Sequence, residues 1–280
     1  MVVSDTMYGK YRKAKMRREE NGSMTLDLPE MSEEDVENLP TVSVVTITKD
    51  RQAFISSMLY IWSRYMYTPE KLEWIIVDDS QDPNQNIGDY LPDDPRIKYV
   101  KIKEWMPIDK KRNMANSLAK HEIIVHMDDD DFYFPDSILA KVRVMKHYGS
   151  KGVLSYDIGV YDLMKHKSFI FYRDDQTNSV PEATLAYYKS YWESHPFESS
   201  HDKGMREGEK FIHKFKDWVD IHFLFTGISI THNKNITQNT RSFANTEENE
   251  KLAKESGDFR TIFPENYLLI LDNIEKLLKN

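Results

Sequence analysis

The sequence predicts an α/β fold on a mostly parallel sheet, and three observations lead there. Apolar runs rich in β-branched residues recur at 41–48, 72–79, 96–102 and 122–127. Segments with helical spacing alternate with them, at 52–66, at 108–120 and after Pro135. Such alternation builds parallel sheets covered by helices. Three of the runs also end in polar clusters, Thr48-Lys49-Asp50-Arg51, Asp78-Asp79-Ser80 and Asp128 to Asp131. In sheets of this kind ligands bind at the carboxyl ends of the strands.

TVSVVTIT (41–48) reads as a buried strand, because it is a run of β-branched residues. Residues 52–66 place Ile55, Met58, Leu59, Trp62 and Met66 at helical spacing. LEWIIVDD (72–79) is a second buried strand and RIKYVKI (96–102) a third. IDKKRNMANSLAK (108–120) reads as a helix and EIIVHM (122–127) as a fourth strand. Pro135 and Asp136 open the next helix, SILAKVRVMKHYG, with Asp136 as its cap. Farther on, GVLSYDIGVYDL and KSFIFYR read as strands joined by a turn around Lys165 to Lys167. PEATLAYYKSYWE reads as a helix with Pro181 near its start. DIHFLFTGISIT (220–231) reads as one strand, and PENYLLILDNIEKLLK closes as an amphipathic helix from Pro264.

Composition narrows the class. The chain has 280 residues and is 40% hydrophobic, enough for a large core. Its net charge of −8 gives no global attraction to nucleic acid or to an anionic membrane. With no cysteine, disulfides, thiolate metal sites and cysteine nucleophiles are excluded. No stretch reaches the ~18 apolar residues of a membrane span, and the N-terminus lacks a signal-peptide core, so a cytoplasmic location is expected. Residues 1–40 pair a basic stretch, KYRKAKMRREE, with an acidic one and read as a solvated appendage. The remainder, 41–280, is expected to be one domain.

HMDDDDFYFPD (126–136) is the sharpest feature. Four consecutive aspartates at a strand end exceed what a helix cap needs and suit a hard divalent cation, Mn²⁺ or Mg²⁺, which takes oxygen ligands and leaves positions for water and phosphates. Alternation after a strand would turn Asp128 and Asp130 toward one metal and Asp129 elsewhere. A calcium EF-hand is a poor match, since its glycine and its distal glutamate are missing.

Taken in order, SVVTITKDR, IIVDDS, KKRN and HMDDDD followed by PD resemble the landmarks of family 2 glycosyltransferases of the GT-A fold. The resemblance covers 41–145 well and the remainder loosely. It implies a GT-A domain with a nucleotide-binding half at 41–145 and an acceptor-side half at 146–280. It further implies transfer of a sugar from a nucleotide-sugar to a hydroxyl of a glycan or protein, usually with inversion. Thr48 and Asp50 fall where the family borders base and ribose, and Asp79, with Asp78 as neighbour, where it meets the base. Arg112, helped by Lys111 and Asn113, falls where the family contacts the donor. Asp128 would touch ribose or metal-bound water, and Asp130 would ligate the metal. The family's distant histidine ligand has a candidate in His232, just beyond a strand, and Arg241 is a candidate phosphate contact.

Inversion requires a carboxylate that takes the acceptor's proton. The family carries it in a GED-like sequence, here replaced by Gly208-Glu209-Lys210. Glu209 is the first candidate, with Asp202 and Glu207 as alternatives. Trp105, Tyr187, Tyr188, Tyr191, Trp192 and Trp218 are candidates to stack on sugar faces, Trp105 foremost because it lies outside a periodic element. Two rival readings are a nucleotidyltransferase and a noncatalytic module of the same fold. The glycine-free KDRQAFISS after the first strand argues against a phosphate-cradling glycine loop.

Overall fold

The structure, a computed structural model, describes residues 12–21, 23–171, 180–199, 207–232 and 257–279, with Glu209 described in its backbone alone. Three short strands come first, β1 (Arg12–Lys13), β2 (Met16–Arg18) and β3 (Met24–Leu26), then α1 (Glu33–Glu37). The alternating core follows as β4 (Val42–Thr48), α2 (Ile55–Arg64), β5 (Leu72–Asp78), β6 (Ile97–Lys101), α3 (Ile108–Leu118) and β7 (Ile123–His126). Next come β8 (Phe132–Tyr133), α4 (Ser137–Tyr148), β9 (Gly152–Leu154), β10 (Ile158–Asp162) and β11 (Lys167–Phe171). The described chain ends with β12 (Ala186–Tyr188), α5 (Lys189–Ser194), β13 (Trp218–Asp220), β14 (Gly227–Thr231) and α6 (Glu265–Lys279).

Eight strands form the main sheet in the order β1-β13-β9-β12-β7-β4-β5-β6. Its pairs are parallel except where β12 runs antiparallel between β7 and β9. Alternate residues of the central strands face opposite layers. Val44, Trp74, Ile76 and Val125 pack in one core with Met58 and Trp62 of α2, Val142 of α4 and Tyr267 of α6. Val45, Ile75, Val77 and Ile124 pack on the other side with Ala115 of α3. Both faces are therefore covered, which is why these strands read as unbroken apolar runs. A second sheet, in the order β11-β10-β14-β8, stands beside the carboxyl ends of β4 and β7.

Five expectations need correction. The segment 181–193 is not one helix. It holds a 3-10 turn at Glu182–Thr184, then β12, then α5. Ala186 and Tyr187, both fully buried, pair with β7 and β9 and close the gap between them, so tertiary pairing overrides the local preference. The run 220–231 is not one strand either. It breaks at a 3-10 turn, Phe223–Phe225, and its halves serve different sheets. The helix expected through Met66 ends at Arg64, where Tyr65 turns extended and the Met66 N–H bonds to the Pro135 carbonyl at 2.8 Å; Met66 is exposed. Asp136 stands at the N-cap of α4, but its side chain makes no capping hydrogen bond. The amino-terminal arm, in turn, is joined to the domain. Arg12 and Lys13 pair in parallel with Val219 and Asp220, and Ala14 enters the core.

Candidate active site

A cavity of about 240 Å³ opens at the carboxyl ends of β4 and β7. One wall is charged, with Thr48, Lys49 and Arg51 after β4, Lys111 and Arg112 from α3, and Asp128 to Asp131 after β7. The opposite wall comes from the second sheet and is largely apolar, with Ile158, Val160, Ile228 and Ile230. Glu182 and Glu207 lie at its edge.

The four aspartates are neutralised one by one, and each differently. Asp128 is reached by Arg112 Nη1 at 3.4 Å, and its own N–H donates to the Tyr133 hydroxyl at 2.8 Å. Arg51 lies between Asp129, 3.6 Å away, and Asp130, 3.4 Å away. Asp130 also meets His232 Nε2 at 3.1 Å. Asp131 accepts from the Ile230 N–H at 3.0 Å, tying the segment to β14. Burial, followed by the charges of Asp130 and Asp128, pushes Asp131 well above the usual carboxylate range. Burial raises Asp129 too, although Arg51 opposes it. Burial alone would raise Asp130, but Arg51 and then His232 pull it below the usual range. Two guanidiniums, a hydrogen bond from His232 and burial that raises Asp129 and Asp131 thus answer the charge that the sequence left open. The expectation that Asp129 simply turns away is corrected: it is buried and shares Arg51 with Asp130.

His232 has a side chain without exposed surface, packed on the Phe54 ring with centroids 4.7 Å apart. Its Nδ1 is buried without a hydrogen-bond partner. The pairing of β14 with β8 brings it to Asp130 across more than a hundred residues. Among the described residues, no three histidine or acidic side chains group as a complete metal cage. Magnesium-type ions are commonly held by one or two protein ligands, the rest being water and substrate phosphate. One half-buried carboxylate beside an imidazole with a free nitrogen suits that pattern.

Arg112 joins this wall to the Glu207 turn. Its Nε donates to Glu207 Oε1 at 2.7 Å, and Nη1 donates to His126 Nδ1 at 3.0 Å. Arginine has no acceptor, so Nδ1 must accept, and His126 Nε2 carries the proton that faces the Tyr187 hydroxyl at 2.7 Å. Burial, then Arg112 and Lys141, keep His126 neutral, far below its ordinary value. Glu207 is pushed up to about 7 by burial and then by Glu182, against Arg112. Glu182 accepts from the Gly208 N–H at 3.1 Å and so pins the Glu207–Glu209 turn.

Other expected residues serve the frame. Asp79 binds the Lys111 ammonium and accepts from the Met106 N–H at 2.9 Å, so both its oxygens are engaged. Asp78 accepts from Ser80 N–H and Tyr99, and Lys101 sits 3.3 Å away. Asn113 holds the Phe197 backbone at both its N–H and its carbonyl, and accepts from Trp192 Nε1 at 2.8 Å. Asp50 is left-handed at φ 54, a conformation aspartate tolerates. Its N–H donates to Ser80 Oγ at 2.7 Å, and its Oδ1 is buried without a partner. Tyr187 and Trp218 are fully buried core, Tyr188, Tyr191 and Trp192 are partly buried, and Trp105 is exposed. Asp202 and Arg241 lie outside the described residues, as does the Glu209 side chain. Arg51, Glu182, Tyr133 and Lys141 were not among the expected site residues. Arg51 stands in the polar cluster after β4, the one signal that pointed to it, whereas Glu182 sat in a segment read as helix.

A parallel α/β sheet with an acidic, cation-laced cavity at its strand ends defines an enzyme of the nucleotide-handling type. The family model of glycosyl transferase family 2 matches residues 43–207, more than half the chain. The chain belongs to this family and has the GT-A fold. It is similar to S. aureus TarS 1–349 in complex with UDP-GlcNAc, with a TM-score of 0.52 at 14% identity, covering 69% of this chain and 59% of that one. It is similar also to the same protein in complex with UDP, with a TM-score of 0.51 at 14% identity, covering 68% and 60%. At that identity the likeness carries the fold, and the chain spans about three-fifths of those structures. No curated protein matches the chain. Among the described residues, no helix is long and apolar enough to cross a membrane.

Proposed function

We propose that this chain moves a sugar from a uridine diphosphate sugar to an acceptor hydroxyl on a glycan or protein, with inversion, aided by Mn²⁺ or Mg²⁺. The observation that carries the reading is the approach of Asp130 to His232 at the mouth of a cavity where β4 and β7 end. Similar structures hold UDP-GlcNAc and UDP. Asp130 and His232 would hold the cation, with Asp128 beside them. Once bound, the cation would offset the charge gathering on the departing diphosphate. Thr48, Asp50 and the Asp78–Asp79 pair, the latter braced by Lys111, would frame the nucleoside side.

Glu207 is the proposed base. It lines the cavity, and a carboxylate pushed up to about 7 is matched to proton abstraction near neutrality. Arg112 fixes its direction, leaving the second oxygen for the acceptor's proton. Glu209 and Asp202 are the alternatives on the same stretch. The test is UDP release from UDP-GlcNAc with Mn²⁺, water serving as acceptor, together with UDP affinity by calorimetry. Glu207→Gln is expected to keep UDP affinity and to lose ~10²–10⁴ in turnover, the usual share of a general base. Full turnover in Glu207→Gln, with loss in Glu209→Gln or Asp202→Asn, would move the base there. A wild-type chain that neither binds UDP nor turns over any UDP-sugar would overturn the donor assignment.

A further inference from the structure

We propose that Glu182 is a positioning residue for the base: its carboxylate braces the turn that carries Glu207 and keeps a second negative charge beside it, which readies Glu207 to take a proton. This rests on the reading of Glu207 as the base.

Two fixed turns bring these carboxylates to one edge of the cavity. Glu182 opens the 3-10 turn Glu182–Thr184 ahead of β12. That turn is bonded from several sides. The Ala183 carbonyl accepts from the Tyr133 hydroxyl at 3.1 Å. Thr184 Oγ1 accepts from the Ser155 N–H at 3.0 Å and donates to the Pro181 carbonyl at 2.8 Å. The Leu185 carbonyl accepts from the His126 N–H at 3.0 Å. From this platform Glu182 Oε1 reaches the Gly208 N–H. Glycine leaves the room for it. A Cβ at Gly208 would stand 2.6 Å from Glu182 Oε1 and 3.0 Å from its Cγ and Cδ. The carboxylate thus lies against the backbone of the residue that follows Glu207. On the far side of the turn the Phe211 N–H bonds to the Gly208 carbonyl at 3.2 Å, and the Phe211 ring is fully buried.

Among the described residues two charged side chains face Glu207. Arg112 comes from α3 and lies 2.7 Å from Oε1, and Glu182 comes from the turn before β12. Asp128, after β7, stands behind Arg112 at 3.4 Å from Nη1. Arg112 by itself would hold Glu207 ionised and make it a weak base. Burial and then the Glu182 charge act against it. Proton uptake by Glu207 leaves one negative charge where two had faced each other. That relief coincides with the transfer step, in which the acceptor oxygen bonds to the anomeric carbon, its proton passes to Glu207, and the diphosphate departs with the bonding electrons. The proton returns to water before the next turnover.

The experiment follows the Glu207 carboxyl by carbon-13 NMR between about pH 5 and 9, in the full chain carrying carboxyl-labelled glutamate. Its signal is the one lost in Glu207→Gln. In the wild type it should titrate at about 7. Glu182→Gln keeps an oxygen for the Gly208 N–H and loses the charge. Removing a negative neighbour favours the ionised form, so the Glu207 titration should fall by roughly one pH unit. Glu182→Asp keeps the charge and should stay nearer the wild type. Gly208→Ala keeps every charge, displaces Glu182 from the turn, and should move the titration in the same direction as Glu182→Gln. The acid limb of kcat for UDP release from UDP-GlcNAc with Mn²⁺ should shift with the titration. Its plateau should drop roughly threefold, since a weaker base draws the proton less strongly. Circular dichroism checks the fold, and Gly208→Ala carries the test should Glu182→Gln not fold. An unmoved Glu207 titration in the folded variants overturns the proposal. Full turnover in Glu207→Gln overturns the base reading itself and takes this proposal with it.

Discussion

Replacing Arg112 with methionine removes one guanidinium and leaves three partners without it. The side chain is 8% exposed and Glu207 only 4%, so Glu207 cannot be rescued by water without a local opening, whereas Asp128, 28% exposed, can. Breaking a buried pair by removing one member costs on the order of 3–5 kcal/mol, because the remaining charge is stranded. Met keeps the unbranched chain, so packing loss adds little. For a domain of this size each kcal/mol lowers Tm by about 2–4 °C, which predicts a fall of roughly 6–20 °C. Guanidinium denaturation followed by tryptophan fluorescence should show a lower midpoint at an unchanged slope. The cause is separable in a double-mutant cycle. Once Glu207→Gln removes the stranded charge, Arg112→Met should cost less by about 1–3 kcal/mol. A cost below about 1 kcal/mol for Arg112→Met, or strict additivity with Glu207→Gln, would refute the claim that one guanidinium ties the aspartate segment to the Glu207 turn.

Lys141 is fully buried with its ammonium unbonded, above the Tyr133 ring, and burial lowers its proton affinity to about pH 7 from 10.5. The unfolded chain then holds more protons between those values, so this lysine makes stability rise with pH from about 7 to 10.5. Lys141→Met should lack that slope, a difference on the order of 4 kcal/mol across the window, read as wild-type minus variant stability in urea at pH 7, 8.5 and 10. Equal pH slopes in both chains would show that Lys141 keeps its proton throughout. Gly227→Ala would bring a Cβ within 2.2 Å of the Phe132 carbonyl oxygen, a backbone atom that cannot turn aside. Separation of β14 from β8 should follow, at a cost of roughly 1–3 kcal/mol, with weaker UDP-dependent Mn²⁺ binding as His232 leaves Asp130; a variant with unchanged stability and Mn²⁺ affinity would show that this pairing does not position His232.

Local pattern was enough for the half of the molecule where neighbours in sequence are neighbours in space. β4, β5 and β7 are buried on both faces, so each had to be a β-branched run whatever packed on it. Their carboxyl ends had to carry the polar clusters, because a ligand edge is where such a strand stops being apolar. His232 was reached through the family resemblance, with the end of β14 one residue before it giving the place. Local pattern failed at Tyr187, whose segment has helical composition but fills a slot between β7 and β9. It failed again across 220–231, where a turn hands the chain from one sheet to the other. Charge was the least legible property. Nothing in the string distinguishes Lys141 from a solvated helix residue, nor Glu182 from a helix entry, and Arg112 stood out only through the family resemblance. Whether a charged side chain is in water or buried beside a counter-charge depends on which distant segment lies over it. The aspartate run by itself declared that countercharge was needed at the end of β7. Only the folding of β14 onto β8, and of the Glu207 turn onto α3, decided that Arg51 and Arg112 would supply it and that His232 would meet Asp130, because those contacts join positions far apart in the chain and leave no periodicity to read.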